Sequence, residues 1–188
     1  MDETAMTAAT SAVFGAAKDE GFECWGSLPA RLLEVNPEVR AMCAADHCRS
    51  YGKSWACPPA CGTLEDYADT LRSFAACVIV QTVFALEDEF DIEGMQEAER
   101  LHKQRFGRFV EEAKGLLGQA APSPLALGAG ACTCCAQCSY PDQPCRLPDR
   151  AQVSMEAAGL LVSATCEAAH IPYYHGKGTI SYTSCLLL

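Results

Sequence analysis

Five cysteines fall within fourteen residues of this chain, from Cys132 to Cys145. Three of them, Cys132, Cys135 and Cys138, make a C-x2-C-x2-C run, and Cys145 follows after six residues. Packing gives no reason for such crowding, since one small apolar side chain fills space as well as another. A loop that curls round a cubane does need it, because each thiolate must reach a different iron. A bacterial ferredoxin places its fourth cysteine after three residues and then proline. Here the fourth is followed by Arg146, Leu147 and Pro148, so the run departs from a plain ferredoxin while keeping the cluster chemistry. Cys134 is left over, a register alternative to Cys135.

An earlier stretch, "CAADHCRSYGKSWACPPACG", repeats the theme as Cys43-x4-Cys48-x8-Cys57-x3-Cys61. Pro58 and Pro59 stiffen the ligand loop and remove two backbone N–H donors. Arg49 and Lys53 bring positive charge that favours thiolates and an anionic cluster, and Arg146 does the same beside the later loop. These three cations are the expected cofactor contacts. His47 beside Cys48 is a possible substitute ligand, though it reads more simply as a solvated loop residue. Four plus four thiols is the count for two [4Fe–4S] clusters. Cys61 and Cys145 are the two ligands that the clusters could exchange, because in two-cluster ferredoxins the fourth cysteine of one run serves the other cluster.

Zinc is the rival, since four thiolates also suit a tetrahedral Zn²⁺. Zinc sites usually pair two C-x2-C knuckles, however, and a triple run exceeds what one zinc uses. Disulfides fit a secreted chain. The opening residues "MDETAMTAATSAVFGAAKDE" carry neither a basic n-region nor a long apolar stretch, and no run of 18 apolar residues follows. The expectation is a cytoplasmic protein with reduced thiols. "CLLL" at 185–188 matches a prenylation pattern, yet it closes an alternating apolar segment that reads as a buried strand.

The remaining composition is that of an ordinary globular chain of 188 residues, with 49% hydrophobic and 20% charged residues. Thirteen cysteines are the outlier. The formal net charge of −10 disfavours phosphate backbones and anionic lipid, so neither nucleic acid nor a membrane is an expected partner. A basic redox partner protein is. Acid clusters such as "LEDEFDIE" (86–93) read as solvated surface.

Elements that could position the loops follow from periodicity. Residues 3–18 read as a helix ending at Gly21, 22–28 as a short strand, and 63–75 as a helix capped by Thr63. Residues 77–86 form a β-branched apolar run, the best central strand. Residues 92–118 carry Met95, Ala98, Leu101, Phe109, Ala113, Leu116 and Leu117 on one face of a long amphipathic helix, with His102 on the wet face. Residues 124–131 form a strand that delivers the later loop, 154–170 a helix, and "PYYHGKGTISYTSCLLL" two strands joined at Gly176–Gly178. Between Pro29 and the first cysteines the chain reads as irregular. Cys24, Cys77, Cys166 and Cys185 lie inside elements and read as core. The sum is one domain over 1–188 of the α/β (α+β) class. It has a mixed sheet of about five strands packed with helices, and two Cys-rich loops at 43–61 and 132–145.

"CRSYGKSWACPP" (48–59) and "AGACTCCAQCSYPDQPCRLPDRAQVSMEAAGLLV" (129–162) resemble a family of uncharacterised, cysteine-rich, metal-binding proteins of anaerobic bacteria and archaea. The resemblance covers most of the chain. It implies metal binding through Cys43, Cys48, Cys57, Cys132, Cys135, Cys138 and Cys145, with Cys61 as the eighth ligand, and it implies no reaction.

Three functions follow. The first is electron transfer by two clusters. In the second, a small redox enzyme holds substrate at a cluster, with Tyr51, Lys53, Tyr140, Arg146 and Glu156 as an anion site; those residues read more simply as shields that tune the cluster. The third is a zinc-stabilised interaction module. No G-x-G-x-x-G follows a strand and no phosphate loop is present, so neither nucleotide cofactors nor ATP coupling are expected. His170 and His175 show no hydrolytic arrangement.

Overall fold

A computed structural model describes residues 3–118 and 123–188. The chain runs α1 (Glu3–Asp19), β1 (Cys24–Pro29), a 3₁₀ turn (Ala30–Leu32), α2 (Pro37–Ala44), α3 (Leu64–Arg72), β2 (Ala76–Ala85) and α4 (Ile92–Leu117). It continues through β3 (Leu125–Gly128), β4 (Val153–Ser154), α5 (Val162–Ala168) and β5 (Thr179–Leu187). The five strands form one mixed sheet in the order β1-β2-β5-β3-β4. All neighbours are antiparallel except β3 and β4, which run parallel. The α+β class and the five strands are as expected.

Alternation along β2 divides the core. Cys77 and Ile79 face one side, where Leu28, Leu71, Phe74, Leu127, Met155 and Leu160 pack. Val78 and Val80 face the other, against Val13, Phe106, Phe109 and Val110 of α1 and α4. β2 is thus buried on both faces, which is why it reads as a continuous apolar run. β5 repeats the pattern, with Cys185 and Leu187 opposite Leu186 and Leu188. The Cys185 side chain is fully buried, and Cys185–Leu187 of the terminal "CLLL" lie in β5, as read from its alternation. Cys77 and Cys166 are also buried, whereas Cys24 in the outermost strand is only half-buried.

Several expectations need correction. α2 occupies part of the stretch read as irregular. Asn36 caps it by accepting from the Glu38 amide at 2.7 Å, and Pro37 sits at the first helical position, where its missing N–H costs nothing. The 154–170 helix is shortened: Ser154 belongs to β4, its backbone carbonyl closes one turn onto Ala158, and helix resumes only at Val162. Gly159, at φ +87°, makes the break. The final segment supplies one strand, not two, because Pro172–His175 runs as a loop tied to the sheet by His175 Nε2 and Gln81 Oε1 at 2.6 Å. His102 is not on a wet face. It falls in the stripe Ala98, His102, Phe106, Phe109, Ala113 and is 1% exposed, with its ring nitrogens 3.0 Å from Thr82 Oγ1 and 2.7 Å from Ser184 Oγ. Leu116, assigned to the apolar face, is 53% exposed.

Gly159 has no substitute. A Cβ there would stand 2.6 Å from Leu64 Cδ2 and 2.8 Å from Val35 Cγ1, on a backbone already left-handed. Gly159→Ala is therefore expected to destabilise the protein by about 2 kcal/mol or more. Urea unfolding monitored by circular dichroism reads the loss, and an unchanged midpoint would contradict this account.

Candidate metal centre

Nine of the thirteen cysteines lie in the two long connections, 45–63 between α2 and α3 and 129–152 between β3 and β4, or at their margins. All thirteen are free thiols.

In the first connection Cys43 leaves the last turn of α2. A tight turn then carries Cys48, with Asp46 at φ +52° and Arg49 at +57°. The turn is held by Asp46 Oδ1, which accepts from the Tyr51 amide at 2.9 Å, and by an Asp46–Lys53 ion pair at 3.4 Å. Lys53 Nζ also donates to the Arg49 carbonyl at 3.1 Å. Cys57 is 7% exposed, and the Cys61 amide bonds back to its carbonyl at 3.2 Å. Burial raises the Cys43 and Cys61 thiols, while the Arg40 guanidinium beside both opposes the rise. Cys57 is pushed up to about 11, first by burial and then by charge on Cys48, Cys61 and Cys43. Cys43, Cys48, Cys57 and Cys61 thus lie within electrostatic range of one another.

Arg40 was not among the residues singled out by spacing. It lies three residues before Cys43, hence on the same helical face. Both of its Nη atoms donate to the Gly62 carbonyl at 3.1 Å, yet its buried Nε has no partner. A buried unsatisfied N–H is costly, and the same guanidinium acts on both Cys43 and Cys61. Tyr67 completes this wall, its hydroxyl donating to the Cys61 carbonyl at 2.8 Å, with Arg40 5.9 Å above its ring.

The second connection folds around a cavity of about 280 Å³. Its walls include all five thiols of the loop, Cys132, Cys134, Cys135, Cys138 and Cys145. Arg49, Lys53 and Arg146 line it too, and no carboxylate does. The three cations expected to contact a cofactor are thus brought together on one chamber, although two come from the first loop. Cys61, by contrast, sits with the first-loop thiols, so Cys61 and Cys145 stand apart.

The loops are joined through Trp55. Its Nε1 donates to the Gln143 carbonyl at 2.9 Å, and its ring meets Tyr140 edge-on at 4.9 Å. At this seam Cys138 differs from the others. Burial raises its thiol, but the backbone N–H groups of Tyr140, Trp55 and Ser139 and the Ser54 hydroxyl outweigh that and leave it below the ordinary thiol value. Hydrogen bonds of this kind stabilise a thiolate. Cys134 behaves oppositely: burial and the neighbouring Cys132 push it up to about 11, and its Sγ donates to the Arg150 carbonyl at 3.4 Å. Ser54, Trp55 and Arg150 were missed from spacing alone, and only the aromatic beside the "SWACPP" thiol hints at a seam. His47 is exposed, as expected of a solvated loop residue.

Among the described residues, no three His, Cys, Asp or Glu side chains already stand in the arrangement that grips a single metal ion. No helix among them is long and apolar enough to cross a membrane.

Fold and thiol groups together define a cysteine-rich α+β protein built around two adjoining sulfur-lined loops. Residues 26–188 match the family described as "Predicted metal-binding protein (DUF2284)", and the chain belongs to that family. Comparison with curated proteins and with solved structures gives no match.

Proposed function

We propose that this metal-binding protein is an iron–sulfur protein carrying two [4Fe–4S] clusters, and that it passes electrons to a partner enzyme. Cys43, Cys48, Cys57 and Cys61 would hold one, and Cys132, Cys135, Cys138 and Cys145 the other. The observation that carries this reading is the second-loop chamber, about 280 Å³, with five thiols and three cations on its walls and no carboxylate. Such a lining suits an anionic, sulfur-ligated group. The first site supports the same reading through the orphaned Nε of Arg40.

A [4Fe–4S] cluster supplies one-electron chemistry, its potential set by charge, hydrogen bonds to sulfur and solvent exposure. The chain controls those variables. Backbone N–H groups at Cys138 stabilise negative sulfur. Trp55 and Tyr140 meet edge-on at the seam between the two loops. Arg40 on one side and Arg49, Lys53 and Arg146 on the other offset the anionic thiolates. The net charge of −10 steers encounters toward a basic partner. Such clusters belong in a reducing cytoplasm and in an organism that avoids oxygen.

The test is anaerobic purification followed by iron, acid-labile sulfide and zinc analysis per chain. About eight iron and eight sulfide, roughly four of each per cluster, are expected, with a broad visible band that bleaches with dithionite. Stoichiometric zinc without sulfide would replace this reading with that of a zinc-stabilised interaction module.

A further inference from the structure

A second, larger cavity adjoins the chamber. On one face of the sheet α1 lies over β1 and β2, and α4 over β2, β5 and the start of β3. Among the described residues no further helix follows on that face, so the space beyond α4 stays open. The result is a groove of about 1190 Å³ between α4 and the 128–134 segment, large enough for a small ligand. Gly128, Ala129 and Gly130 contribute to its wall. It reaches Cys132 and Cys134, which line both the groove and the chamber.

Charge gives the groove a direction. The chain as a whole is at −10, yet the groove is lined by five cations, Arg100, Lys103, Arg108, Lys114 and Arg150. Only three acids join them, Glu99, Glu111 and Asp149, a local excess of two positive charges. Glu99 and Glu111 are already paired with Lys103 and Lys114. Arg100 and Arg108 pair with Glu97 and Glu20, which are not part of the lining. Arg150 is different: among the described residues its guanidinium makes no hydrogen bond or ion pair, and its backbone carbonyl accepts from Cys134 Sγ at 3.4 Å. An unengaged guanidinium on a groove that reaches Cys132 and Cys134 is placed to receive a carboxylate or phosphate in a fork of two N–H donors.

We infer that the groove between α4 and residues 128–134 binds a small organic anion, its charged group on Arg150 and its body lying toward Cys132 and Cys134. This rests on the second loop being a metal centre only for its purpose, which is to present a small-molecule redox partner to that centre. The binding itself is independent of it.

Two variants test the site. Gly107 lines the groove from α4, and a Cβ added there meets nothing within 4 Å, so Gly107→Leu fills the groove without disturbing the core. Arg150→Gln removes the charge from an exposed position. Benzoate and phenyl phosphate are titrated calorimetrically at low salt into the anaerobically purified protein, with iron measured in each sample. At least one probe is expected to bind with Kd below about 1 mM, and which one binds separates carboxylate from phosphate. Arg150→Gln is expected to weaken it at least tenfold and Gly107→Leu to abolish it, while Arg72→Gln on α3 changes nothing. Failure of both probes to saturate, or full binding by Arg150→Gln or by Gly107→Leu, overturns the inference. Iron-loaded protein that binds neither probe refutes the groove site alone, whereas protein that binds a probe but holds no iron refutes the cluster reading alone.

Discussion

A Cys135→Ser/Cys138→Ser double variant is expected to retain about half of the wild-type iron and sulfide, close to four of each per chain. Both thiols line the second chamber, whereas the charges that act on Cys57 come from Cys48, Cys61 and Cys43 of its own loop. A Cys43→Ser/Cys57→Ser variant should lose the other half. Cys145→Ser should behave like the Cys135 pair and Cys61→Ser like the Cys43 pair, because Cys145 lines the chamber while Cys61 sits beside Cys57 and Arg40. Cys134→Ser should leave the metal count unchanged, its thiol being engaged with the Arg150 carbonyl. Loss of all iron in either double variant would point to a single shared centre. Iron left at wild-type level in both would remove the assignment of ligands altogether.

His102 is expected to make the protein acid-sensitive. Its ring lies 5.7 Å from Phe22 edge-on and stacks on Phe106 at 6.1 Å, with Thr82 and Ser184 holding its two nitrogens. Burial, then the positive charges of Lys103 and Arg105, lower its pKa to about 3. In the unfolded chain an imidazole titrates near 6.5. Between these values the unfolded state binds a proton that the folded state refuses. The stabilisation is therefore complete above about pH 6.5 and is lost as pH falls toward 3, with a slope near 1.4 kcal/mol per pH unit. Chemical unfolding at pH 7 and pH 5 should show wild type losing about 2 kcal/mol more than His102→Gln, which cannot titrate but can still bond both hydroxyls. Parallel losses in the two proteins would contradict a neutral buried imidazole.

His102 also illustrates what periodicity conveys. The spacing 98, 102, 106, 109, 113 places it on the buried stripe of α4, and only its polar identity suggested water. Partners on two distant strands reverse that preference, and nothing in the local sequence names Thr82 or Ser184 as those partners. α2 teaches the complementary lesson. Asn36, Pro37 and Glu38 carry a helix start in plain view, but proline read as a breaker concealed it. Both errors come from judging a residue by its type before its position.

The two cysteine loops, the strands β2, β3 and β5, and helices α1, α3 and α4 are determined by sequence alone. Their signals are local: thiol spacing, a β-branched run, a Thr63–Asp66 capping box, and apolar residues recurring at helical intervals. Tertiary structure alone decided which thiols face one another. It set Cys145 with Cys132 and Cys61 with Cys43, carried Arg49 and Lys53 of the first loop onto the chamber of the second, and brought Arg40 and Arg150 beside sulfur. The same holds for the groove, which exists because two helices cannot cover one face of a five-stranded sheet. Such relations join residues nearly a hundred positions apart, as Trp55 and Gln143 are. Spacing along a chain carries no record of contacts at that range, because only the packing of the intervening elements brings the two ends together.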